Sequence, residues 1–129
     1  PELAGAMARR AVDNARDYNP QNVANLLWAF ATLRVDPGDE LVGAMSRRAV
    51  ATAGEFNPQG VSNLIWALAT LAIPPGAALV EAMSRRAAAT AREYKPQNVS
   101  NLMWALATLG EDPGAELIEA MSRRAAAAA

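Results

Sequence analysis

The sequence predicts an all-α fold: an α-solenoid of antiparallel helix pairs, with about seven helices and a 38-residue repeat. Three series of residues recur at this interval, namely Trp28/Trp66/Trp104, Met7/Met45/Met83/Met121 and Pro20/Pro58/Pro96. Residues 37–74 and 75–112 differ at only 12 of 38 positions. A period of this size is typical of stacked supersecondary units rather than of a domain with one closed core.

The first helix of each unit, helix A, is predicted over about 39–54 in the type repeat 37–74. Asp36 is interpreted as its N-cap, followed by Pro37 at the first helical position. An apolar stripe at helical spacing then marks the face that should be buried: Leu41, Val42, Met45, Ala49, Ala53 and Phe56.

The second helix, helix B, is predicted over about 58–71, because Asn57-Pro58 is a helix-start signal. Its apolar arc comprises Val61, Leu64, Ile65, Leu68 and Leu71. The A–B order repeats three times from about Glu2, and a last helix A is predicted at about 115–128. Short loops between antiparallel helices favour a solenoid.

Composition excludes several kinds of chemistry. The chain has no cysteine and no histidine, which excludes disulfides, the usual zinc sites and histidine acid–base catalysis. No apolar run is long enough to span a membrane. A site placed once per repeat would also be unusual for an enzyme. We therefore expect no catalysis, no cofactor, no metal, no membrane association and no small-molecule substrate.

The chain is interpreted as one helical-repeat array over residues 1–129, divided at about 1–36, 37–74 and 75–112, with a half repeat at 113–129. It begins inside a repeat without Met, and an alanine run at 125–129 stands where the repeat should continue. We therefore expect a segment of a longer protein. Whether 125–129 are true alanines stays open.

The string from Asn57 to Leu71, with its copies from Asn19 and Lys95, contains the pattern PQ-x-V-x-N-L-x-WA. It resembles the signature of octotricopeptide repeats, a 38-residue helical-repeat family, over essentially the whole chain. The resemblance implies a protein of the mitochondrion or chloroplast that binds RNA. Its expected roles are transcript stabilisation, processing or translation, or holding ribosomal RNA.

Four Arg-Arg pairs are the first candidates for a functional surface. They hold eight of the twelve basic residues: Arg9/Arg10, Arg47/Arg48, Arg85/Arg86 and Arg123/Arg124. Stacked A helices would align the pairs into an Arg ladder, and guanidinium groups bind phosphates independently of sequence. The alternative is a solvated helix face, since Glu81–Arg85 and Glu119–Arg123 have i,i+4 spacing. We favour contact with RNA phosphates.

A polar and aromatic face of helix B is the second candidate, repeated as Gln21/Asn25/Trp28/Thr32, Gln59/Asn63/Trp66/Thr70 and Gln97/Asn101/Trp104/Thr108. Amides and an aromatic ring could bind a base. The residues are identical in every copy, however, and an identical set of side chains can recognise only one kind of base. We favour a structural role for the Asn and Trp residues between repeats: Asn25, Trp28, Asn63, Trp66, Asn101 and Trp104.

Residues that read bases should vary between repeats and point outward. Candidates include Gly5/Gly43/Glu81/Glu119, Val12/Val50/Ala88, Asp13/Ala51/Ala89, Arg16/Gly54/Arg92, Asn22/Gly60/Asn98 and Ala24/Ser62/Ser100. Many are Gly or Ala, so sequence-specific readout should be weak. The acids around the helix starts are interpreted as caps and solubilising groups: Asp36, Asp39, Glu40, Glu111, Asp112 and Glu116.

The sequence therefore predicts an RNA-binding solenoid that contacts the backbone of single-stranded or ribosomal RNA. By analogy with similar repeats, helix A is expected to line the concave surface. The main alternative is a scaffold for protein–protein contacts within a larger assembly, which the near-neutral charge of −1 favours. A third reading is a subunit whose enzyme domain lies outside this segment.

Overall fold

The computed structural model describes residues 2–128, apart from the side chains of Glu2, Ala4 and Ala128. Within this range the chain forms seven α-helices and no strand: α1 Glu2–Asp13, α2 Pro20–Leu33, α3 Asp39–Ala51, α4 Pro58–Thr70, α5 Ala77–Ala89, α6 Pro96–Leu109 and α7 Ala115–Ala128. The predicted all-α fold is confirmed. Pro1 and Ala129, which close the predicted array, lie outside the described residues.

The helices form two layers. Row A contains the odd-numbered helices α1, α3, α5 and α7, and row B contains α2, α4 and α6. The helices of row B pack closely on one another, whereas neighbouring helices of row A make much lighter contact. The expectation that helix A lines the concave surface stays a prediction.

The core lies between the two rows and runs continuously through the units. From row A, Leu41, Met45 and Ala49 are fully buried. From row B, all four of Val61, Leu64, Ile65 and Leu68 have no exposed surface. These are the apolar stripes that helical periodicity predicted, and their burial against each other is what joins each helix pair.

The starts of the row B helices follow the prediction. Asn19 and Asn57 each precede a proline at the first helical position. Their side chains accept a hydrogen bond from the backbone N–H of Asn22 and Gly60, both at 2.7 Å. Each bond satisfies one of the free N–H groups of a helix start.

The starts of the row A helices differ from the prediction. The N-cap of α3 is Gly38, at φ 88°, rather than Asp36. The Asp36 carboxylate instead accepts the N–H of Gly38 at 2.9 Å, and Asp112 does the same for Gly114 at 2.8 Å. Asp36 therefore forms a turn before the helix, and Pro37 lies outside it.

The row A helices also end slightly earlier than predicted. α3 stops at Ala51, and a short 3-10 turn follows at Ala53–Glu55. The Thr52 hydroxyl donates to the carbonyl of Arg48 at 2.8 Å, and Thr90 repeats this bond to Arg86. No helix within residues 2–128 is long and apolar enough to cross a membrane.

Candidate nucleic-acid interface

The second arginine of each pair connects consecutive units. Arg48 Nε donates to the carbonyl oxygen of Tyr18 at 2.7 Å. Arg86 makes the same bond to Phe56 at 2.7 Å, and Arg124 to Tyr94 at 2.6 Å. Each bond joins helix A of one unit to the residue just before the N-cap of the preceding helix B. These three arginines, partly buried, thus contribute to unit stacking. Their contact with phosphate stays a prediction.

The first arginine of each pair lies on the outer face of row A. Arg9, Arg47, Arg85 and Arg123 are all exposed, as is Arg10. The packing of row A does not use these side chains, because Leu41, Met45 and their equivalents in α5 and α7 fill the buried face. The outward orientation that the Arg ladder requires is therefore present at all four first positions.

Two of these outer arginines are paired with an acid. Arg85 contacts Glu81 at 2.7 Å and Arg123 contacts Glu119 at 2.6 Å. In α1 and α3 the position of the acid is taken by Gly5 and Gly43. Exposed pairs of this kind contribute about 0–1 kcal/mol, so a phosphate can compete for the guanidinium. The outer arginines of α1 and α3 thus have no acid at this position, unlike those of α5 and α7.

Shallow grooves separate neighbouring helices of row A, and arginines line them. The groove between α1 and α3 has a volume of about 360 Å³ and is lined by Val12, Asp13, Ala15, Arg16, Ala44, Arg47, Arg48 and Ala51. Two units later the groove between α5 and α7, of about 430 Å³, is lined by Ala88, Ala89, Ala91, Arg92, Ala120, Arg123, Arg124 and Ala127. Each groove therefore combines three arginines with a floor made largely of alanine.

The third arginine of each groove was not assigned to the phosphate site from the sequence. Arg16 and Arg92 belong to the 3-10 turns that follow α1 and α5. In the sequence, Arg16 and Arg92 each lie 31 residues before the first arginine of the pair with which they share a groove. The sequence pattern groups them with the outward, variable positions instead. The middle unit has Gly54 at this position. The available signal was the 38-residue step itself, which relates Arg16 and Arg92.

The polar face of row B is exposed or partly exposed to solvent. Trp28 is 43 % exposed and Trp104 is 51 % exposed, while Trp66 is partly buried against the core. Asn25 is exposed, and Asn63 and Asn101 are partly exposed. Asn25 and Asn63 line one cleft between α2 and α4, and Ala67 and Leu68 beside Trp66 are fully buried. The structural role expected for the Trp and Asn residues between repeats stays a prediction.

Charge is divided between the two rows. The sequences of α2, α4 and α6 contain no charged residue. The twelve basic residues therefore belong to row A and to the connecting segments. A polyanion can find guanidinium groups on row A, whereas row B offers it only amide, hydroxyl and indole groups.

The remaining candidate positions have simpler explanations in the structure. Glu81 and Glu119, considered as base readers, pair with arginines. Asp36 and Asp112 accept backbone N–H groups. Among the described residues, no three acidic side chains are grouped so that they could hold a metal ion.

The chain matches the model of a known protein family. The model of RESC6, described as RNA-editing substrate-binding complex 6 protein, matches residues 1–127. No match is found among the curated proteins.

The expected membership of the octotricopeptide repeats is therefore wrong. The Asn-Pro starts and apolar stripes that carried the resemblance cap and bury helices, which any array of stacked helix pairs requires. The expectations of a chloroplast and of ribosomal RNA came with that resemblance, and the matched family does not support them. Since the match spans nearly the whole sequence, the chain belongs to the family of RNA-editing substrate-binding complex 6 proteins.

Proposed function

We propose that this chain binds single-stranded RNA through its phosphate backbone, along the arginine-lined grooves of row A, as a subunit of an RNA-editing assembly of the mitochondrion. The groove of Arg16, Arg47 and Arg48 between α1 and α3, repeated two units later, supports this most directly. Membership of the family of RNA-editing substrate-binding complex 6 proteins supports the assembly.

The chemistry of the grooves favours phosphate over base recognition. Guanidinium groups form bidentate hydrogen bonds with phosphate oxygens, whatever the base. The alanine floor leaves space for a backbone to approach. Besides the arginines, Asp13 in the groove between α1 and α3 is the one lining side chain of the two grooves that could accept a hydrogen bond from a base. Binding along row A is therefore expected to depend strongly on salt and weakly on sequence.

The proposed role is binding rather than catalysis. The arginines supply charge and hydrogen-bond donors, which is what binding a phosphate backbone requires. Phosphate contacts along this surface would position an RNA strand in register with the 38-residue repeat of the array.

The test is RNA affinity as a function of salt for the chain and two charge-matched variants. Arg16→Glu/Arg47→Glu removes two exposed groove arginines and leaves the inter-unit bond of Arg48 intact. Arg34→Glu/Lys95→Glu makes the same change in charge at the ends of row B helices. We expect the groove variant to lose at least tenfold in affinity and about 2 in the slope of log K against log salt.

The control variant should keep most of the affinity and slope, and both variants should keep the helicity of the wild type. Equal loss in the two variants would mean that only net charge matters, and would contradict a groove site. An undiminished affinity of the groove variant would place the RNA elsewhere.

A second candidate function is a scaffold for protein partners. The uncharged row B helices, with half-exposed Trp28 and Trp104, favour it specifically. The two functions do not exclude each other, because the arginines and the tryptophans lie on different rows.

A further inference from the structure

The exposed face of row B forms one continuous surface, which we term the row B stripe. It comprises four residues on each of three helices: Gln21, Asn25, Trp28, Thr32, Gln59, Asn63, Trp66, Thr70, Gln97, Asn101, Trp104 and Thr108. All twelve are exposed or partly exposed. Because α2, α4 and α6 contact their neighbours in order, the stripe continues from helix to helix.

Packing accounts for only part of the tryptophan surface of the stripe. Trp66 packs partly against the core, and Val61, Leu64 and Ala67 of the same helix are fully buried. Trp28 and Trp104 nevertheless place large aromatic surfaces in solvent, at 43 % and 51 % exposure. Repeated exposed aromatics on a face without charge match the composition of protein-interface cores, where aromatic residues are enriched and charges are depleted.

The charge of the stripe argues against RNA as its ligand. RNA affinity depends on neutralising phosphates with Lys or Arg, in addition to stacking of bases. The row B helices contain neither residue, and the nearest basic side chains on the chain, Arg34 and Lys95, lie only at helix ends. Row A, by contrast, has arginines in its grooves.

The repetition of the amides indicates what kind of ligand fits. Asn25, Asn63 and Asn101 each offer one acceptor and two donors, and Asn101 Oδ1 already accepts from Gln97 Nε2 at 3.0 Å. Because the same asparagine is present in every unit, it fits a ligand whose hydrogen-bonding groups recur along its length regardless of its sequence. A polypeptide backbone has this property, since each residue other than proline presents one N–H and one C=O.

The dimensions also agree. Packed helices lie about 8–10 Å apart, and an extended or polyproline-type chain advances about 3.1–3.4 Å per residue. One row B helix therefore corresponds to about three residues of an extended peptide. Each helix would present one asparagine to the backbone and one tryptophan to a side chain.

We propose that the row B stripe binds an extended segment of a partner protein. The asparagine amides hydrogen-bond to the peptide backbone, and the tryptophans pack against uncharged side chains, including proline. This inference goes beyond the proposed RNA binding and does not depend on it, because it uses a different row of helices.

The experiment selects and then measures a defined peptide. A random library of twelve-residue peptides, about the length that spans three helices with short flanks, is displayed on phage and selected on the chain. The best peptide is synthesised with a fluorescent label, and its affinity is measured by anisotropy for wild type, Trp28→Ala/Trp104→Ala and Asn25→Ala/Asn101→Ala. Since these side chains are exposed or partly exposed, both variants should keep the wild-type circular dichroism.

We expect each stripe variant to lose at least tenfold in affinity, and Arg16→Glu/Arg47→Glu to bind the peptide normally. A peptide with N-methylated backbone amides should bind more weakly than its parent, which a purely structural role of Asn25 and Asn101 does not predict.

Three outcomes overturn the proposal. The first is that no selected peptide depends on the stripe residues. The second is that a twelve-nucleotide RNA loses affinity for Trp28→Ala/Trp104→Ala but not for Arg16→Glu/Arg47→Glu, which would make the stripe a base-stacking surface. The third is concentration-dependent dimerisation in sedimentation that Trp28→Ala/Trp104→Ala abolishes, which would make it a contact between two copies.

Discussion

Arg86 of α5 donates from Nε to the carbonyl oxygen of Phe56, 30 residues earlier and in the preceding unit, at 2.7 Å. Its neighbour Arg85 projects into solvent and contacts Glu81. Two adjacent arginines that look equivalent in the sequence thus differ in their surroundings, and this difference can be measured.

Arg86→Ala is expected to lower the free energy of unfolding by about 1.5–3 kcal/mol, because it removes a charge-assisted hydrogen bond to a partly buried carbonyl. Arg85→Ala should cost less than about 1 kcal/mol, since only an exposed ion pair is lost. Urea unfolding of the two variants provides the comparison. Equal destabilisation would show that the bond to Phe56 is not what distinguishes the two positions.

Tyr94→Phe is expected to stabilise the protein by about 1 kcal/mol. The Tyr94 side chain is fully buried, and its hydroxyl has no hydrogen-bond partner among the described residues. A buried unpaired polar group costs about 1–3 kcal/mol. Phe56 fills the equivalent position one unit earlier, also fully buried. Denaturant midpoints of Tyr94→Phe and wild type test this, and a loss of stability would indicate a partner for the hydroxyl.

The same tyrosine predicts a loss of stability at high pH. Burial raises the pKa of Tyr94 well above its ordinary value of about 10, with Glu93 raising it further and Arg86 opposing. Above pH 10 the unfolded chain loses this proton while the folded chain retains it, so stability falls as pH rises. The Tyr94→Phe variant has no phenol at this position and therefore does not lose stability in this way. The stability gap between the variant and wild type should therefore be constant below pH 10 and widen above it, by up to about 1.4 kcal/mol per pH unit.

Removing the acids that pair with the outer arginines should strengthen RNA binding. Glu81→Gln/Glu119→Gln leaves Arg85 and Arg123 without their carboxylates, as Gly43 does for Arg47. We expect RNA affinity to rise severalfold at low salt, with less gain at high salt. Glu40→Gln/Glu111→Gln makes the same change in charge away from these pairs and serves as the control. An equal gain in both variants would assign the effect to net charge.

Much of the fold could be predicted because it depends on local signals. The Asn57-Pro58 start requires only a side-chain acceptor and a fixed proline φ, both of which are properties of neighbouring residues. The buried stripes followed from periodicity for the same reason. Asp36 was misassigned because an aspartate before Pro-Gly can either cap a helix or close a turn, and the backbone of Gly38 decides between them.

The surfaces were harder to predict because they depend on distant residues. The acceptor of Arg48 is a backbone carbonyl, a group that every residue has, so no residue type marks Tyr18 as its partner. The structural role of Trp28 is expected because the residue is identical in every repeat, but repetition does not distinguish a buried residue from an exposed one. On the same helix Leu27 and Ala31 are buried, while Trp28 is 43 % exposed.

The hydrogen bond that Arg48, Arg86 and Arg124 each donate allows such arrays to lengthen by whole units. Its acceptor is main chain, and the acceptor position is Tyr18, Phe56 or Tyr94 without change in the bond. A unit that is duplicated anywhere in the array carries both the donor for the unit before it and the acceptor for the unit after it. An exchange between tyrosine and phenylalanine at the acceptor residue leaves this bond unchanged. Arrays of different length can therefore arise by copying whole units, while the outward residues of each copy remain free to diverge.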